Sequence, residues 1–263
     1  MTRFPSTLAL SLLLGTFPLS AQDGPEPSKQ PKPSAEGEKK AAAKYEEAKN
    51  RIKKTGDTTY ELGDIKFNSA TKEVRIPTVL NMNEGILEYV LVTEQGKTHE
   101  SLLRTTISPT ELNLALLLCS YEPHIGEAAK YLAAPHPETK AMIDKPMEKA
   151  GANRIQFTAQ WKDKSGKEQT APLANWIRNR MTKTTLDADH WTYTGSVINL
   201  AGFASEYDGS IGALYFDLGA MFNCPVKDNV NDDVWSAETS ASPPVDTPVT
   251  LIITPFSETP VTK

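Results

Sequence analysis

The stretch that decides the fold is residues 73–118, EVRIPTVLNMNEGILEYVLVTEQGKTHESLLRTTISPTELNLALLL. It opens on alternating apolar residues, turns at Asn83-Glu84-Gly85, continues as ILEYVLVT and turns again at Gln95-Gly96 before KTHESLLR. Short alternating runs bounded by turn residues predict strands, and their close spacing predicts antiparallel hairpins. Pro77 inside the first run predicts an edge or a bulge there. The segment then changes period. Ser108 caps a helix, Pro109 takes its first position and Glu111 follows three residues after the cap. LNLALLLC is apolar nearly all round, which predicts a buried helix lying on the sheet.

Working outward, YELGDIKFN (60–68) supplies more strand pattern upstream. Downstream, NRIQFTAQWKD, KEQTAP, HWTYTGSVIN, GSIGALYF and PVTLIITPF do the same, with a helical turn at LANWIRNR. Residues 122–150 hold four prolines and broken helical pieces, a surface excursion. The expected fold class is α+β: a mostly antiparallel β-sheet, sandwich-like or a single curved sheet, with one buried helix and short peripheral helices.

The N-terminus reads MTRFPSTLALSLLLGTFPLSA. Arg3, the apolar run Leu8 to Leu14 and the small Ala21 fit a cleavable signal peptide over 1–21. That predicts an exported protein, periplasmic or extracellular. The apolar run is too short to cross a bilayer, which takes about 20 residues, and no later segment predicts a transmembrane span. Residues 22–55 read as a disordered Pro/Lys/Glu-rich tether carrying a short helix. In that helix, 39–54, the stripe Ala41, Tyr45, Ala48 and Ile52 predicts a weak face that docks on the domain or frays in solvent. One globular domain is expected over 56–257, followed by a tail at 258–263. The formal charge of -5 gives no attraction for phosphate backbones, so nucleic acid is not an expected partner. The partner expected is a protein or an envelope ligand.

Residues 73–118 resemble the core of the YdjY-type domain, in which a strand like LEYVLVT leads into a GKTHES-like string and an apolar helix. HWTYTGSVIN, GSIGALYF, DDVW and TPVTLIITP resemble its later blocks in order, so the likeness spans about residues 56–256. It implies an exported or envelope protein of uncharacterised function. Some relatives are described as ferredoxin-like, but two cysteines fall short of the four thiolates an iron–sulfur cluster takes.

The candidate chemistry is concentrated in GKTHES. Gly96-Lys97-Thr98 fails as a phosphate loop because Leu91 stands where that motif needs glycine; no cofactor is called for. If 97–102 is extended, Lys97, His99 and Ser101 share one face and Glu100 the other. Lys97, His99, Glu100 and Ser101 are the catalytic candidates, for a hydrolase or a metal-dependent enzyme. Glu88, on an apolar strand face, needs a cation such as Lys97 or Arg104. His99 and Glu88, and the acids Asp228, Asp232 and Asp233 of DNVNDDVW, are the metal candidates; His124, His136 or Asp208 would have to be brought in by the fold. Cys119 and Cys224 are a candidate disulfide closing a loop of about 105 residues, worth roughly 4 to 5 kcal/mol, with two buried thiols as the alternative. Of the four tryptophans, Trp161, Trp176, Trp191 and Trp235, core positions are the simpler reading and a groove the other. The preferred function is a non-enzymatic extracytoplasmic binding module; a structural envelope protein is a further alternative.

Overall fold

Helix α1 spans Ala35–Asn50, and the Ala, Lys and Glu that fill it are good helix formers. A computed structural model describes residues 35–188 and 190–257. The expected leader, the tether up to residue 34 and the tail at 258–263 lie outside the described residues. Of the two behaviours open to this helix, docking is what the structure shows. Ala41 and Ala48 are buried, and Tyr45 and Ile52 pack on the same core.

Strands β1 (Lys53–Lys54), β2 (Thr59–Leu62), β3 (Ile65–Asn68) and β4 (Glu73–Leu80) follow as antiparallel neighbours. Next come β5 (Tyr89–Thr93) and β6 (Ser101–Thr105). Helix α2 (Pro109–Leu118) starts as its cap predicts, with Ser108 Oγ accepting from Glu111 N at 3.4 Å. The excursion contains α3 (Pro137–Ile143). Strands β7 (Arg154–Lys162) and β8 (Glu168–Pro172) form a hairpin. The remainder is β9 (Ile177–Asn179), β10 (Trp191–Tyr193), β11 (Ile198–Asn199), β12 (Gly202–Phe203), α4 (Ala204–Asp208), β13 (Ser210–Ala213), β14 (Phe222–Asn223), β15 (Trp235–Ala237) and β16 (Pro248–Pro255).

These strands correct the expected sandwich or single curved sheet. The order β4-β16-β7-β10-β14-β13-β5-β6 returns to β4 through a β4–β6 pairing, so eight of the twelve strands of the main sheet close into a barrel. Strands β1, β2, β3 and β8 extend it outside. The ring is closed by Val79↔Arg104 and Leu80↔Leu103. β4 pairs with β3 only through Arg75, and with β6 only from Val79. Pro77, which lacks an amide donor, sits at that changeover, and its carbonyl accepts from Thr105 Oγ1 at 2.7 Å.

The hairpins expected around GKTHES are also corrected. β5 and β6 run parallel, Tyr89↔Ser101 to Thr93↔Thr105, joined by residues 94–100 alone. Parallel neighbours ordinarily need a crossover of about a dozen residues. β13 and β14 are parallel too, across 214–221. The first return fits because the strap 94–100 crosses its neighbours on glycine. A Cβ on Gly96 would stand 3.0 Å from Gly209 O and 3.0 Å from Val92 Cβ.

An eight-stranded barrel has room for side chains and little else. Here Ile76, Leu91, Leu103, Phe157, Tyr193, Phe222 and Leu251 are buried within one core, with Phe157 edge-on to Phe222 at 5.1 Å. One end is covered by α2, where the Tyr193 hydroxyl donates to Asn113 Oδ1 and Asn113 Nδ2 to Tyr45. At the other, Trp161 meets Trp176 edge-on at 5.0 Å.

Gly209 has φ +73°, and a Cβ there would lie 2.7 Å from Gly96 Cα and 2.8 Å from Gly96 N. Gly209→Ala should therefore destabilise the fold by about 3 kcal/mol. Gly166 has φ +82° but open space around it, so Gly166→Ala should cost only about 1 kcal/mol. Denaturant melts of the two variants make the comparison; equal losses would remove the glycine crossing from the account.

Candidate functional site

The string Lys97 to Ser101 is not extended. Thr98–Glu100 forms a 3-10 turn, which brings Lys97 and Glu100 to the same side and reverses the expected separation. Lys97 Nζ lies 3.1 Å from Glu100 Oε1 and 3.3 Å from Glu88 Oε2, and 5.0 Å from the centre of the Tyr89 ring. The two carboxylates are mostly buried, while His99 stands 79% exposed at the margin, 3.7 Å from Glu100. Ser101 is fully buried and its hydroxyl donates to the Lys97 carbonyl at 2.5 Å.

The electrostatics follow from this packing. Burial raises the Glu88 pKa; Lys97 opposes that and the neighbouring Glu100 adds to it. Burial works against the Lys97 cation, yet Tyr89, Glu100 and Glu88 outweigh it and hold the ammonium protonated above its ordinary range. A lysine so held is no base, and a hydroxyl donating to a carbonyl in the core is no open nucleophile. The arrangement fastens the strap 94–100 against β5.

The remaining candidates do not gather. Asp233 pairs with Arg180, and Asp228 Oδ2 accepts from Asn179 Nδ2 at 3.4 Å. His124 Nδ1 accepts from Gly126 N at 3.0 Å, and His136 Nδ1 accepts from Glu138 N at the start of α3. Asp208 ends α4, where burial and then Asp217 raise its pKa. Among the described residues no three His, Cys, Asp or Glu side chains converge as a metal site. Arg104 pairs with Asp246 at 2.8 Å instead of with Glu88.

The candidate disulfide is corrected: both cysteines are buried free thiols. Cys119 caps the end of α2 with Sγ 3.7 Å from Asn68 O, whereas Cys224 follows β14. Burial pushes Cys119 up to about 11 and Cys224 to about 12.

Sequence reasoning missed two polar clamps. Glu206 accepts from Lys44 Nζ (2.9 Å), Ser108 Oγ (2.8 Å) and Thr110 N (2.9 Å), tying α1 and the start of α2 to α4. Glu127 takes both Arg154 and the His190 ring, the latter at 3.0 Å. It also missed a surface depression of about 440 Å³ at the Trp161 end of the barrel. Its walls are Trp161 to Lys164 and Pro243 to Pro248. Trp161 is half-buried and Val245 is 43% exposed. A Trp at the end of a strand, plus a proline-rich stretch before the last strand, was the only sequence signal for it.

Glu88 gives a pH-dependent expectation. Its raised pKa means the folded protein holds that proton more tightly than the unfolded chain. The contribution is full below the ordinary value of 4.5 and is lost as pH rises through the folded value. Glu88→Gln should therefore melt at or above the parent at pH 7, an advantage that vanishes at pH 4. Lys97→Met, which leaves two carboxylates facing each other, should lose about 1 kcal/mol at pH 7 and recover on acidification. The opposite order of melting temperatures would show that Lys97 does not fasten the strap. For the thiols, iodoacetamide should label both cysteines in unreduced, unfolded protein and neither in the native state; absent labelling after unfolding would restore the disulfide.

No family model, no curated protein and no solved structure matches this chain.

Proposed function

We propose that the protein is a non-enzymatic binding module working outside the cytoplasm, periplasmic or extracellular, on a protein or envelope ligand. One observation carries the reading. The Trp161 depression is an open, mostly apolar surface with an aromatic face presented from a rigid barrel end, the setting in which recognition sites are found. The leader-like start and the proline-rich spacer support export and tethering. The rival hydrolase or metal-dependent reading at Lys97, His99 and Glu100 is weakened by the engagement of Lys97 and Ser101 within the strap. No helix among the described residues is long and apolar enough to cross a membrane.

Two variants test the reading, Trp161→Ala and Val245→Asp, each first shown to melt as the parent does. Full-length protein immobilised and exposed to an envelope extract should retain a component that both variants release. Equal retention by all three proteins would contradict the assignment of the depression. A hydrolytic activity abolished by Lys97→Met would overturn the non-enzymatic reading itself.

A further inference from the structure

We infer that residues 132–147 form a flap that the neutral His124 ring holds shut and that opens when the ring takes up a proton. The flap lies outside the Trp161 depression and does not depend on the binding reading.

Only one charge state of the ring fits its surroundings. His124 Nδ1 accepts from Gly126 N at 3.0 Å, and Nε2 stands 2.6 Å from the Lys145 carbonyl. The amide offers a proton and the carbonyl offers lone pairs, so Nδ1 is bare and Nε2 carries the hydrogen. A protonated imidazole has hydrogen on both nitrogens, which would set Nδ1–H against Gly126 N–H. The ring is closely seated as well. A Cβ on Gly126 would stand 2.7 Å from His124 Cε1.

The flap depends on such polar contacts because it contributes nothing to the core. No residue from Tyr131 to Ala150 is buried. The seven residues of α3 are too few for a helix stable by itself, which takes about 12 to 15. Its two ends are held separately. At one, Ala128 and Ala129 are buried and Glu127 takes Arg154 and the His190 ring. At the other, Glu122 accepts from Glu148 N (2.6 Å) and Lys149 N (2.9 Å). Protonating His190 would strengthen its bond to Glu127, the opposite sense to His124. Acid therefore loosens the span between two ends that stay fixed.

The charges facing the His124 ring are the Glu122 carboxylate on its own segment and the Lys145 ammonium across the loop. β10 presents the Tyr193 carbonyl, which accepts from His124 N at 3.0 Å. The chain before β7 presents the neutral Asn153 amide, which donates to the His124 carbonyl at 3.1 Å. Glu122 favours the charged ring and Lys145 opposes it. The Glu148 and Lys149 amides hold the Glu122 carboxyl below its ordinary range, so it keeps its charge, and its grip on those amides, at pH 5.5. Imidazoles change charge between about pH 5 and 8, which places the opening above the carboxylate range.

The test is hydrogen exchange by mass spectrometry on the full chain at pH 7.5 and pH 5.5, with labelling times scaled to the chemical exchange rate. Peptides within 132–147 should lose protection about fivefold to tenfold on acidification, while β7 is unchanged. His124→Gln, whose amide accepts and donates without titrating, should abolish the pH dependence, and His190→Gln should keep it. Gly126→Ala, whose methyl displaces the ring, should open the flap at both pH values. In the parent alone, nitrogen-15 shifts should show a bare Nδ1 on His124 at pH 7.5 whose protonation tracks the loss of protection. Unchanged protection of 132–147, equal loss in β7, a pH dependence kept by His124→Gln, or a ring that titrates while the flap stays protected would each overturn the inference.

Discussion

Everything in this structure depends on one strand changing partner halfway along its length. β4 leaves β3 at Arg75 and takes up β6 at Val79, and the residue between those contacts that cannot donate a backbone hydrogen bond is Pro77. A proline in a central strand would break a ladder. Here it occupies the gap where one ladder ends and another begins, and the second ladder closes the barrel. Closure removes the sheet's internal edges and encloses a core of Phe157, Tyr193, Phe222 and their aliphatic neighbours. α2 lies over one end and the tryptophans over the other.

Closure also requires β5 and β6 to lie parallel with little chain to join them, and this gives GKTHES its place. The strap 94–100 is seated by the Gly96–Gly209 approach, then by Lys97 bridging Glu88 and Glu100, then by the Ser101 hydroxyl on the Lys97 carbonyl. Residue types that suggest a nucleophile and its base are here the clasp of a tight crossover. His99, 79% exposed with a loose 3.7 Å approach to Glu100, is turned outward. The burial that raises Glu88 offsets part of the gain from Lys97, as is common for half-buried ion pairs.

Much of the fold was legible in local pattern. The cap at Ser108, the all-round apolar α2, the thin stripe of α1 and most strand positions follow from short-range physics that a sequence displays directly. What stayed hidden is long-range. The apolar runs of β5 and β6 mark strands without saying whether neighbours run parallel, and their short connection predicts a hairpin because the approach of Gly96 to Gly209, more than a hundred residues away, is not a local feature. The 3-10 turn at Thr98–Glu100 overrode the alternation that had set Glu100 apart from Lys97. The depression joins the end of β7 to the stretch before β16, a neighbourhood created by the β7–β16 ladder. The buried thiols were the bland alternative at two positions that sequence alone could not locate relative to each other.

The most direct measurement of the closed barrel is interstrand NOE contact in solution. A closed barrel gives contacts from β6 to two strands at once: Leu103 to Leu80 and Arg104 to Val79 in antiparallel register, and Leu103 to Leu91 in parallel register. Contacts from β6 to β5 alone, with none to β4, would mean an open sheet and would contradict it.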